Sequence, residues 1–175
     1  MVVHKGKTIF VGDTSVHEYP TSEQMAEIAI STARVVRLFG FDPKVAFVSH
    51  STFGQPLTSR TKHIRKAVDI LKEKKVNFEF DGDMQPDVAL NPEYEELYPF
   101  SKIVGKANIL IMPGQHSAAI SYKMMKTFGD TKVIGPLLIG LGLPIEIAPL
   151  RSSTSELINL ASIAAYSADV IDYKK

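Results

Sequence analysis

The chain has 175 residues, of which 45% are hydrophobic and 22% charged, a composition that supports a sizeable core and excludes disordered and fibrous classes. Its 20 basic residues nearly balance 19 acidic ones, so no overall field recruits nucleic acid or an anionic membrane. Cysteine is absent, which excludes disulfide frameworks, thiolate metal sites and cysteine nucleophiles and makes the cytoplasm the expected compartment.

Residues 1–7 lack the apolar stretch of a signal peptide. The longest apolar run, residues 134–147, is cut by Gly135, Pro136, Gly140, Gly142 and Pro144, which suits short strands and turns and not a membrane span. Residues 8–11 read as a strand closed by Gly12-Asp13. Thr21 with Gln24 forms a capping box for a helix whose Met25, Ile28, Ala29, Thr32, Val36 and Phe39 share one face, with Gly40 at its end. The apolar residues 45–48 form a strand that empties into Ser49-His50-Ser51-Thr52-Phe53-Gly54, followed by a helix with Ile64, Val68 and Leu71 inward and a basic outer face. That face carries no interleaved aromatics to stack on bases, so it reads as a solvated surface.

Residues 78–81 alternate as a strand does, and Asn91 before Pro92 caps a short acidic helix through Leu97. Residues 108–112 are a continuous apolar strand, of the kind buried on both faces. The next helix places Ile120, Met124 and Phe128 in register and stops at Gly129, with Gln115 and Ser117 as its caps. Residues 133–134, 137–139 and 144–149 are strand-like. A last helix, capped near Ser153 or Thr154, turns Leu157, Leu160, Ala161, Ala164, Ala168 and Ile171 one way. Strands alternating with helices predict an α/β three-layer sandwich with a mostly parallel central sheet.

Two polar segments stand where α/β proteins place chemistry. Ser49, Ser51, Thr52 and Gly54 fill a strand-to-helix loop, which either caps the following helix or holds an anion on free backbone N–H groups. Asp81-Gly82-Asp83-Met84-Gln85-Pro86-Asp87 lacks the calcium-loop spacing, so it reads as a polar strand end whose first carboxylate, Asp81, accepts backbone hydrogen bonds or meets a ligand hydroxyl. The histidines His4, His17, His50, His63 and His116 have no metal-ligand spacing. Gly140-Leu141-Gly142-Leu143-Pro144 lacks the third glycine of a dinucleotide fingerprint, and neither a GxSxG elbow nor a P-loop occurs.

Residues 45–54, the acidic segment 81–87, Gly105-Lys106-Ala107-Asn108 with its strand, Ile120-Ser121-Tyr122-Lys123, and residues 134–141 occur in an order that resembles the phosphate acetyltransferase family over nearly the whole chain. Gly12-Asp13-Thr14 and residues 37–44 look like the phosphotransacetylase-like C-terminal region of bacterial hybrid NADP-dependent malic enzymes. The resemblance implies the second lobe of the family's isocitrate dehydrogenase-like fold over residues 1–149, then a helix over 150–175 that in the family packs on a first lobe. On this reading the chain is a piece of a longer protein.

The family's catalytic Ser-Arg pair falls on Pro149-Leu150, neither of which hydrogen-bonds a phosphate through its side chain, and its lysine in the first loop falls on Phe53. The resemblance therefore implies a non-catalytic lobe that responds to acetyl-CoA or a related acyl-CoA and assembles as a homodimer or larger. The expected ligand contacts are Ser49, Ser51, Thr52, Gly54, Asp81, Gln115 and Ser117. NADP and a divalent metal would belong to an N-terminal malic enzyme region, leaving no cofactor or metal in this lobe. The alternative is an active acetyltransferase with a rearranged site on Arg151 and Glu156.

Overall fold

The computed structural model describes residues 1–13, 15–128, 130–141 and 143–170. Thr14, Gly129, Gly142 and Ile171, which figured above in a motif, a helix stop, a glycine turn and an apolar stripe, lie outside them.

Six strands form one sheet: β1 (Val2–His4), β2 (Lys7–Gly12), β3 (Lys44–Val48), β4 (Glu79–Met84), β5 (Ile109–Ile111) and β6 (Thr131–Val133), in the order β4-β3-β5-β2-β1-β6. β2, β5, β3 and β4 pair in parallel, while β1 pairs antiparallel with both β2 and β6. Only β1 runs against the rest, so the mostly parallel sheet expected from the sequence is present. No strand was expected over β1, which meets β2 at Lys5-Gly6. Both residues have positive φ, 46° and 79°, and make the tight two-residue hairpin turn that joins β1 to β2.

Alternation along the central strands divides the core into two layers. Val45 and Phe47 of β3 and Ile109 and Ile111 of β5 pack under helices α1 (Ser22–Leu38) and α2 (Ser59–Glu73). Ala46, Val48, Leu110 and Met112 face the other way, against Val88 and Ala89 of the short helix α3 (Pro86–Leu90), Ile103, Val104 and Ala118. Helices on both faces of a buried sheet give the three-layer sandwich.

The local sequence builds each helix. Thr21 and Gln24 close the expected capping box at the start of α1, which buries Met25, Ala26, Ala29, Ala33 and Val36, mostly small side chains that let the helix lie close on the sheet. α2 has a second capping box, Thr58 with Thr61, and buries Ile64, Ala67, Val68 and Leu71. Its lysines reach back to α1, Lys66 to Glu23 at 2.8 Å and Lys74 to Glu27 at 3.0 Å. Asn91 caps the acidic segment as expected, though Pro92–Leu97 winds as a 3₁₀ helix.

The later elements differ from the sequence reading. Helix α4 (Gln115–Thr127) buries only Ala118 among the residues of its span, and its expected inner stripe of Ile120, Met124 and Phe128 is exposed. The segments 137–139 and 144–149 make a single bridge, Leu137 to Glu146, instead of strands. Helix α5 (Thr154–Val170) buries Leu160 but leaves Leu157 exposed, and it is tied to its own lobe by Tyr166 Oη donating to Leu38 O at 3.0 Å. Hydrophobic periodicity marks a face for burial without naming what covers it. Among the described residues no helix is long and apolar enough to cross a membrane.

Candidate functional site

Asp83 organises the loop between β3 and α2. Opposite it, β3 and β4 lose register: Phe47 pairs with Gly82, but Val48 pairs with Met84, so Asp83 is the extra residue of a bulge. A bulge re-aims the side chain it carries. Gly82 permits it, because φ is 151° there and a Cβ would stand 2.7 Å from Phe47 O. The Asp83 carboxylate is fully buried beneath residues 49–54.

That carboxylate gathers the loop's polar groups. Ser51 Oγ donates to Asp83 Oδ2, and Gly54 N donates to Oδ1 at 3.1 Å. Arg65 Nη1, from α2, lies 3.8 Å from Oδ1 and supplies the opposite charge. Ser49 N donates to Met84 O, Phe53 N to Asp83 O, and Thr52 and Gln55 exchange backbone hydrogen bonds. Thr52 Oγ1 accepts from Gln85 N at 3.2 Å.

Ser49, Ser51, Thr52 and Gly54 are thus brought together, with the donors just named spent on the fold. His50 faces outward from this loop, and the Arg65 guanidinium of α2 beside it is half-exposed. The expected first carboxylate, Asp81, accepts from the adjacent Gly82 N at 2.9 Å, and the organising role belongs to Asp83. Sequence reasoning missed this residue, although a glycine inside a strand pattern is the ordinary sign of a bulge.

The loop after β5 stands beside the loop after β3, both at the carboxyl ends of parallel strands. Gln115 and Ser117 do not cap α4 as expected. Gly114 is the N-cap, without a side-chain bond, because a Cβ there would lie 2.6 Å from Glu18 O. Gln115 N donates to Glu18 O at 3.2 Å, and Ser117 Oγ donates to Gly114 O at 2.8 Å.

The Pro149-Leu150 position offers no hydrogen-bonding side chain, and Leu150 is fully exposed, with a relative accessibility of 103%. Arg151 is exposed. Glu156 closes a capping box at the start of α5: its carboxylate accepts from Ser153 N at 2.8 Å, and its own N–H donates to Ser153 Oγ at 3.3 Å. It also pairs with Lys126 of α4 at 2.9 Å. The Lys126 hydrogen bond, then those from Ser153, lower its pKa from the ordinary 4.5 to about 2. Glu156 is therefore a carboxylate at neutral pH, an anchor between two helices and a poor proton donor. Among the described residues no cluster of three or more His, Asp or Glu stands ready to hold a metal.

The family model for phosphate acetyl/butaryl transferase matches residues 1–165. The chain is 48% identical over 164 residues to a protein named NADP-dependent malic enzyme from Rhizobium meliloti, covering 94% of this chain and 22% of that one. It is 33% identical over 169 residues to the phosphate acetyltransferase of Bacillus subtilis, covering 95% of this chain and 52% of that one. Among solved structures, EutD phosphotransacetylase from Staphylococcus aureus superposes with a TM-score of 0.86 at 30% identity, covering 95% of this chain and 52% of its own. The chain thus spans 22% of the length of that malic enzyme and about half that of the acetyltransferases.

Proposed function

Because the chain belongs to the phosphate acetyl/butaryl transferase family, we propose that it keeps the family's lobe without its chemistry, as the phosphotransacetylase-like region of an NADP-dependent malic enzyme. In this role it is an acyl-CoA-responsive regulatory and assembly module, and an N-terminal region holding NADP and a divalent metal oxidatively decarboxylates malate to pyruvate. The carrying observation is the Pro149-Leu150 position, where no side chain bonds a phosphate, beside a Glu156 already committed to Ser153 and Lys126. Identity of 48% to a malic enzyme against 33% to a phosphate acetyltransferase supports the same branch.

Acetyl-CoA or a related acyl-CoA approaches the carboxyl ends of the parallel strands, at the loop of Ser49, Ser51, Thr52 and Gly54, Asp81, and the start of α4 at Gln115 and Ser117. An effector acts only through differential affinity for two states, so regulation requires that its binding change malate turnover. The test is calorimetric titration of acetyl-CoA and desulfo-CoA into this chain and into a malic enzyme that carries it, with malate oxidation and phosphate-dependent acetyl transfer followed in parallel. Binding that alters malate oxidation without forming acetyl phosphate is the expected result. Acetyl transfer to phosphate that Arg151→Ala and Glu156→Gln abolish would replace this reading with an active acetyltransferase.

A further inference from the structure

A cavity of about 510 Å³ lies between α1, the β1–β2 hairpin and residues 133–139, away from the Asp83 loop. Its volume falls in the range of small-molecule sites. Phe10, Val11, Ile28, Val35, Ile134 and Leu137 give it apolar walls.

Its charged groups exclude one class of ligand. Among the described residues no lysine or arginine lines it, the N-terminal amine of Met1 donates to Ile134 O at 2.9 Å, and the acidic side chains at its edge are already partnered: Asp13 with His17, Glu23 with Lys66, Glu27 with Lys74. A phosphate or diphosphate requires cationic donors or a cluster of free N–H groups, and among the described residues this wall offers only the His17 side chain, already held by Asp13. The cavity therefore does not suit the charged part of a coenzyme A.

Its hydroxyls select another class. Thr32 is 6% exposed, and its Oγ1 is buried without a hydrogen-bond partner. It stands beside Gly12, which lines the same cavity and where a Cβ would lie 2.7 Å from Ile111 Cδ1 and 3.4 Å from Thr32 Oγ1, so glycine lets these side chains close up there. Tyr122 lines the same cavity. A buried hydroxyl without a partner is costly, and water is a poor remedy in an apolar cavity, because it needs two or more polar partners at once. A ligand that carries an acceptor on an apolar body meets both requirements.

We propose that this cavity is a binding site, separate from any acyl-CoA site, for an uncharged, mainly aliphatic molecule whose oxygen acceptor is met by the hydroxyls of Thr32 and Tyr122. The inference goes beyond the regulatory reading and does not depend on it. The threonine hydroxyl reaches a ligand by turning about χ1, since threonine in a helix populates two rotamers.

The probe is 2-heptanone, followed by ligand-observed NMR and calorimetric titration into the whole chain. Saturable binding to the unaltered protein is expected. Thr32→Val and Tyr122→Phe, near-isosteric losses of one hydroxyl each, should each weaken it about fivefold, the usual worth of one hydrogen bond. Val35→Trp, or the milder Val35→Phe if the first does not fold, should fill the cavity and abolish binding, with circular dichroism confirming the fold. Excess desulfo-CoA should leave the bound ketone in place. No saturable binding, binding unchanged in both hydroxyl variants, binding retained in a folded filled variant, or displacement by desulfo-CoA would each overturn the proposal.

Discussion

The buried Asp83 carboxylate holds a hydroxyl and a backbone N–H, with the half-exposed Arg65 guanidinium 3.8 Å away. Replacing it by alanine strands Ser51 Oγ and Gly54 N inside the protein, so Asp83→Ala should destabilise by about 3 kcal/mol, the scale for removing one partner of a buried charged network. Asp83→Asn keeps an acceptor while losing the charge opposite Arg65, and about half that loss is expected; urea unfolding of the two variants measures the difference. If both unfold at the midpoint of the unaltered protein, the loop is not held by this residue. Asp81 was the natural choice from the sequence because it comes first after the apolar residues. The bulge decides otherwise, since Asp83 is the extra residue of β4 opposite Phe47 and Val48 and is turned inward. Alternation alone assigns faces only while the register is unbroken.

Elements with strong local signals formed where the sequence placed them. α1 begins at Thr21 because threonine and Gln24 satisfy each other's backbone donors, and Thr21→Ala should lower stability by about 1 kcal/mol in thermal or urea unfolding. β3 and β5 are legible because a strand buried on both faces must be apolar throughout. β1 and α3 were not, being short and lacking periodicity, and residues 137–139 and 144–149, strand-like in sequence, meet in the bridge of Leu137 with Glu146 instead of forming strands. The start of α5 has a pH signature. Glu156 binds its proton less readily in the folded chain, its pKa lowered from 4.5 to about 2 by Lys126 and Ser153. Its contribution is therefore complete above about pH 4.5 and is lost as the pH falls toward 2. Protection factors in the first turn of α5 should fall over that window, and Glu156→Ala, which removes both the acceptor for Ser153 and the partner of Lys126, should make them low and insensitive to pH there. A protection profile identical in the variant would show that the capping box does not hold this helix.

The whole molecule leaves apolar side chains where a single lobe has nothing to set against them. Ile120, Met124 and Phe128 repeat along α4 with accessibilities of 58%, 53% and 68%, and Leu157 and Ile158 are exposed on α5, which Lys126 and Glu156 join to α4. Scattered exposed apolar residues are ordinary, but three at helical spacing make a continuous stripe, and such stripes mark surfaces that another body covers. In the assembly proposed above, that body is a second copy. An isologous pair through α4 brings each stripe against its own image, because the same surface serves on both sides. Sedimentation of the isolated chain should then show a concentration-dependent dimer. Met124→Glu should weaken it by tenfold or more, since two carboxylates, one from each copy, would enter an apolar contact. Lys62→Gln on the outer face of α2 changes charge by the same amount away from the stripe and should leave association intact. A monomer at every concentration would mean that the stripe is covered by something other than a second lobe of this kind, and the assembly role would fall with it.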